Sequence, residues 1–144
     1  MSAAELWIDE HADAVEIDGE TVHAAVTVDL DVDSLITIRR VGAGTDRRQG
    51  LALDADEPLT INGISKPQLV LWADSSPDEV VVEADAGRLT MWNVWEADGA
   101  VHAWVGAAGI VLDTGDDELT RLRASDGIGD FGVDLEVEIT IAAR

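Results

Sequence analysis

Four side chains near the Asp98-Gly99 pair are of types that bind ligands: Asn93, Trp95, His102 and Trp104. An Asp-Gly pair flanked by β-formers suits a two-residue type I′ hairpin turn. Pairing Ala97 with Ala100 sets Glu96 opposite Val101, Trp95 opposite His102, Val94 opposite Ala103 and Asn93 opposite Trp104. Side chains alternate along a strand, so the four share one face, with Met91 beyond them. Trp95 and Trp104 then lie diagonally and make a flat indole surface beside an amide and an imidazole. That surface suits stacking on a carbohydrate ring or another apolar ligand. The opposite face, Trp92, Val94, Ala103 and Val105, reads as an aliphatic core layer. The plainer alternative buries both faces and satisfies the polar groups internally.

The stretch from Ser125 to Asp134 sets three carboxylates, Asp126, Asp130 and Asp134, at four-residue spacing in a glycine-rich turn. Ca²⁺ takes six to eight oxygens, and a flexible acidic loop can supply several of them. The plainer reading is a solubilising turn that enters the last strand. Asp29, Asp31 and Asp33 superficially resemble the start of an EF-hand loop. Ser34 stands where its glycine belongs and Arg40 where its bidentate glutamate belongs, so the stretch reads as a strand face.

Half of the arginines fall within ten residues: Arg39, Arg40, Arg47 and Arg48. The layout suggests a hairpin with one pair on each arm, able to receive an acidic patch of a neighbouring subunit, a carboxylate or a phosphate. Local balancing of the chain's own acids is the plainer reading. Catalysis finds little footing. His11, His23 and His102 are scattered, no serine sits in a Gly-x-Ser-x-Gly elbow, and paired carboxylates are too common to discriminate. No enzyme is expected, and an unrecognised hydrolase is the remotest option.

The frame that must position these groups has period two. Val133, Leu135, Val137, Ile139 and Ile141 alternate with Asp134, Glu136, Glu138 and Thr140. Val26, Val28, Leu30 and Val32 alternate similarly with acids and a threonine. Shorter β-rich runs are expected at 35–41, 59–61, 68–72, 79–83, 88–95, 101–105, 109–113 and 119–123. Asp18-Gly19 and Asn62-Gly63 are further type I′ hairpin turns. Many short strands with such punctuation predict a single all-β domain over residues 1–144, a jelly-roll-like β-sandwich. The first dozen residues are also compatible with one short helix, since Ser2 and Glu5 have capping-box spacing.

The chain has 144 residues, 30 acids against 9 Lys plus Arg, and a formal net charge of −21. An apolar fraction of 47% belongs to a folded domain rather than an acidic tail. Nucleic acid and anionic membranes are poor partners for such a charge. With no cysteine, disulfides, thiol nucleophiles and Cys-ligated metals are excluded. Lys66 is the only lysine. Abundant acid with so little lysine points to a halophilic protein, because at roughly 1 M salt the Debye length is about 3 Å and surface repulsion fades. No secretory signal is expected at the N-terminus. The longest uncharged apolar stretch, 100–112, is too short and broken for a membrane span, so the expected location is cytoplasmic or particle-associated.

From Gln68 to Thr140 the chain resembles a family of small microbial proteins, mostly bacterial, with no established activity. The matching pieces are Leu69 to Trp72 followed by Ser76-Pro77, Leu89 to Trp95, Trp104 to Gly109, and Ser125-Asp126-Gly127 before an acidic turn and closing strand. The family pattern has a second acid before the last strand, where this chain has Gly132-Val133. The resemblance implies a β-fold and supplies no chemistry. The leading expectation is therefore a non-catalytic interaction or assembly module, for example a subunit of a virion or another multi-protein particle, that self-associates or meets a protein partner. The runner-up is a small-ligand module, carbohydrate-binding or Ca²⁺-dependent.

Overall fold

The computed structural model describes residues 14–17, 20–23, 25–45, 47–97, 99–103, 109–114, 119–126 and 134–144. The described residues form twelve strands and no helix: β1 (Ala14–Ile17), β2 (Glu20–His23), β3 (Val26–Leu30), β4 (Ser34–Ala43), β5 (Arg48–Ile61), β6 (Ile64–Trp72), β7 (Glu79–Ala84), β8 (Gly87–Ala97), β9 (Ala100–His102), β10 (Gly109–Thr114), β11 (Leu119–Ser125) and β12 (Leu135–Ala143). The all-β fold expected from period two is thus present. The suggested N-terminal helix, the Asp18-Gly19 turn and Val105 lie outside the described residues.

All the strands belong to one antiparallel sheet in the order β1-β2-β10-β11-β12-β4-β7-β5-β8-β3, with β6 on β5 and β9 on β8. β10 returns beside β8, so the curled sheet is nearly closed. β5 is its corner. Its first half, Arg48–Ala55, pairs with β8, whereas Thr60 pairs with Glu83 of β7. The register with β6 shifts between Asp54 and Leu59, where Pro58 has no N–H to offer the ladder.

Burial follows the alternation. Leu135, Val137 and Ile139 of β12 are buried, while Glu136 and Glu138 between them are half-exposed. The inner faces of β3 to β8 and β10 to β12 converge on one core, in which Ile36, Leu53, Leu59, Val82, Leu89 and Ile110 are wholly buried. Asn62 and Gly63 have φ of 51° and 79°, the left-handed pair that a type I′ turn requires, and they join Ile61 to Ile64.

One expectation fails. Arg39 and Arg40 lie on β4 and Arg48 on β5, but these strands do not form a hairpin. β7 lies between them, bonded to β4 along Ser34–Arg39, and the segment carrying Gly44 and Arg47 is a crossover connection. The place beside β4 is taken by β7, whose Val80 and Val82 are buried in the shared core.

Candidate functional site

The 93–102 hairpin has the register read from its turn: Trp95 opposite His102, Glu96 opposite Val101 and Ala97 opposite Ala100. Both of its faces are buried, as in the plainer alternative. β8 is flanked by β5 on one side and by β3 and β9 on the other, and the Asn93–Trp95 face is turned to the interior. Asn93 is 2% exposed and Trp95 3% exposed, level with Gln49 and Leu51 on β5. Asn93 donates its amide N–H to the Ser125 carbonyl at 3.0 Å. The His102 ring stacks on Trp95, with centroids 6.2 Å apart and planes at 24°, and its Nε2 lies 3.3 Å from the Ala97 carbonyl. The indole of Trp95 is therefore a core group and offers no open ring surface. Trp104 lies outside the described residues.

The reverse face, read as core, is buried as well, in a cluster separate from the main core. Trp92, Val94 and Ala52 pack with Ala25, Trp72 and Ala103 in a separate small cluster. They floor a recess of about 390 Å³ that Val70, Val101, Gln68 and His102 complete. Val70 is 41% exposed and Val101 57% exposed. Gly50 lets Trp72 pack beside this cluster: a Cβ there would lie 2.9 Å from Cε3 of Trp72, whose ring covers the glycine. The guanidinium of Arg48 stacks on that ring at 4.3 Å. None of the eight lining residues is a carboxylate, on a chain with 30 acids.

The described ends of the C-terminal acidic turn, Asp126 and Asp134, are held by the chain's own groups. The Asp126 carboxylate is fully buried and accepts hydrogen bonds from Arg47 Nε and, at 3.0 Å, from Gln49 Nε2. Asp134 accepts from the Asp126 backbone N–H through Oδ2 at 3.0 Å, and its carbonyl accepts from Gly44 N–H at 2.6 Å. Asp130 lies outside the described residues. A carboxylate already compensated by a guanidinium is poorly placed to ligate Ca²⁺, and among the described residues no three His, Cys, Asp or Glu converge as a metal site. Gln49 carries no local sequence signal, because its role depends on a contact across 77 residues. Its Oε1 is buried without a hydrogen-bond partner among the described residues.

The clustered arginines are held by the chain's own acids. Arg40 reaches Asp78 at 2.6 Å and the Ser76 carbonyl at 3.3 Å; Arg48 reaches Asp74 at 2.8 Å and Glu96 at 3.6 Å; Arg39 reaches Glu138 at 3.5 Å. The hydrogen bond to Asp74 raises the Arg48 pKa above the ordinary guanidinium value. Arg40, Arg47 and Arg48 also line an open recess of about 450 Å³ with Gly44, Thr45 and Asp74. The structure gathers three of the four expected partner-contact arginines there and leaves Arg39 on the β12 side. Asp29, on β3, and Asp33, in the bend between β3 and β4, likewise bind arginines, Arg88 and Arg144, so the strand face expected over Asp29, Asp31 and Asp33 ends at Leu30.

His23 on β2 and His102 on β9 stand on separate strands, and His11 lies outside the described residues. Among the described residues no helix is long and apolar enough to cross a membrane. Compared with protein-family models, with characterised proteins and with solved structures, the chain matches none.

Proposed function

We propose that this protein is a non-catalytic interaction and assembly module adapted to high salt, such as a subunit of a virion or another multi-protein particle. The observation that carries this reading is the charge-free recess over Trp92, rimmed by exposed Val70 and Val101 on an otherwise acid-coated chain. Exposed apolar patches with polar surroundings mark contact sites. In concentrated salt a contact cannot depend on long-range charge, and buried apolar area is what remains effective. The arginines serve this reading as internal ties, which moves the contact from the Arg39–Arg48 segment to the β6–β5–β8–β9 face. In this reading the curled sheet is a jelly-roll-like sandwich hinged at β5, the strand that changes neighbours midway.

The test is recovery of the tagged full chain from its own cells in about 3 M KCl, beside a Val70→Asp, Val101→Asp double variant. The expected result is a stoichiometric companion, either another copy or a different chain, that the double variant loses. A chain recovered without a companion in both forms contradicts the reading.

A second reading rests on the same recess. An indole floor beside the exposed Gln68 amide also suits a ring-stacking ligand such as a carbohydrate. It predicts a monomer whose tryptophan fluorescence shifts on titration with sugars, and loss of that shift in Trp92→Ala.

A further inference from the structure

We propose that Asn62 is a site of spontaneous covalent modification, converted to aspartate and isoaspartate at a rate set by opening of its hairpin tip. The inference stands apart from the interaction reading. The chain has two asparagines, Asn62 and Asn93. Asn62 precedes Gly63, which has no Cβ to shield its backbone nitrogen. Both residues are exposed, and a Cβ built on Gly63 would meet nothing within 4 Å. The β5–β6 ladder ends at the Ile61–Ile64 pair, so the Gly63 N–H lies beyond it. In the step itself the Gly63 nitrogen gives up its proton and bonds to Cγ of Asn62. The carboxamide C–N bond breaks, and its nitrogen leaves as ammonia. Water then opens the resulting succinimide at one carbonyl to give aspartate, or at the other to give isoaspartate.

The closed turn opposes this step. Asn62 and Gly63 are held in the left-handed pair of a type I′ turn, and ring closure requires rotation about ψ of Asn62. The tip must therefore open first. Beyond the register shift it is closed by three pairs, Leu59 with Lys66, Thr60 with Ser65 and Ile61 with Ile64. The Thr60 and Ser65 hydroxyls share a hydrogen bond of 2.8 Å across the middle pair. Leu59 is wholly buried and anchors the base, whereas Ile64 at the tip is 59% exposed. A short hairpin end clasped by one exposed side-chain bond belongs to the least stable part of a fold. Asn93 has the opposite setting. It lies buried within β8, donates to the Ser125 carbonyl and precedes the β-branched Val94. Conversion at position 62 places a carboxylate in the Leu59–Ala73 stretch, which has none. Isoaspartate also lengthens the backbone by a methylene, which a two-residue turn does not accommodate.

The test holds the folded full chain, as wild type and as Ser65→Ala, in mildly alkaline buffer with about 3 M KCl. Samples are taken over time for peptide mass mapping, beside wild type unfolded in urea. The expected result is an acid form at position 62, with isoaspartate present, while Asn93 keeps its amide. Ser65→Ala removes the bond across the clasp and is expected to speed conversion about two- to fivefold, with the urea midpoint almost unmoved. Thr60→Val removes the same bond from the other strand and must act alike. Asn62 left intact when the unfolded chain has converted overturns the site. Equal rates in wild type and both variants, or equal conversion of Asn93, overturn control by the hairpin tip.

Discussion

Arg47 and Asp126 are 79 residues apart in sequence, and the guanidinium Nε–H of the first donates to the wholly buried carboxylate of the second. This bond ties the β4–β5 connection to the end of β11, and Gln49 adds a second donor to the same oxygen. Removing one partner of a buried ion pair leaves an uncompensated charge. Arg47→Met is therefore expected to cost about 3–5 kcal/mol in urea denaturation. The matched change in an exposed pair, Arg39→Met, is expected to cost less than about 1 kcal/mol. Equal losses would mean that burial is not what makes the Arg47 tie strong.

Gly50 is a packing requirement. A methyl group there would meet Trp72 Cε3 at 2.9 Å, Trp72 Cδ2 at 3.2 Å and the Leu71 carbonyl at 3.3 Å. The indole would have to leave, and with it the surface on which Arg48 stacks. Gly50→Ala is expected to lower stability by about 1–3 kcal/mol and to change the tryptophan emission. Gly42→Ala, where nothing lies within 4 Å of the added carbon, is expected to stay within about 0.5 kcal/mol. Two equal and small effects would contradict the tight Trp72–Gly50 contact.

These two sites show what the sequence could and could not convey. The 95–102 register is legible because an Asp-Gly turn fixes it, and Asn62-Gly63 behaves the same way. Which face of that hairpin turns inward is not legible, because Asn93, Trp95 and Met91 alternate with Trp92 and Val94, and both sets are largely apolar. Facing is decided by what covers each side, here β5 and the core beneath it. The first half of β5 gives no strand signal because Gly50, Ala52 and Ala55 are weak β-formers, held in a strand by β6 and β8 on either side. The partners of Arg40, Arg47 and Arg48 are set by strand order, which no local pattern encodes.

Acid should loosen the β11–β12 face. The hydrogen bond from Arg121 to Glu138, at 2.8 Å, lowers the Glu138 pKa below the ordinary carboxylate value of 4.5. A depressed folded-state pKa contributes stability above the unfolded value, and that contribution is lost as pH falls through the folded one. Wild type is therefore expected to lose stability below about pH 4.5, and Glu138→Gln to lose less over the same range. Parallel pH profiles for the two proteins, measured by urea midpoint at fixed salt, would remove Glu138 from the account.

Salt should stabilise the fold. With a net charge of −21, repulsion between surface acids acts over roughly 10 Å at 0.1 M salt and about 3 Å at 1 M. The urea midpoint is expected to rise steeply between about 0.2 M and about 3 M KCl, and the rise should flatten once screening is complete. A midpoint independent of salt would argue against adaptation to a saline environment.

The most direct test of the assembly account is light scattering after size exclusion, in about 3 M KCl, on wild type and on Val101→Asp over a wide range of protein concentration. The account predicts that wild type, alone or with extract of its own cells added, runs at a mass above that of the monomer. Val101→Asp should stay monomeric with an unchanged circular dichroism spectrum. A wild-type protein that remains monomeric both alone and in the extract, or a complex that Val101→Asp leaves intact, would contradict it.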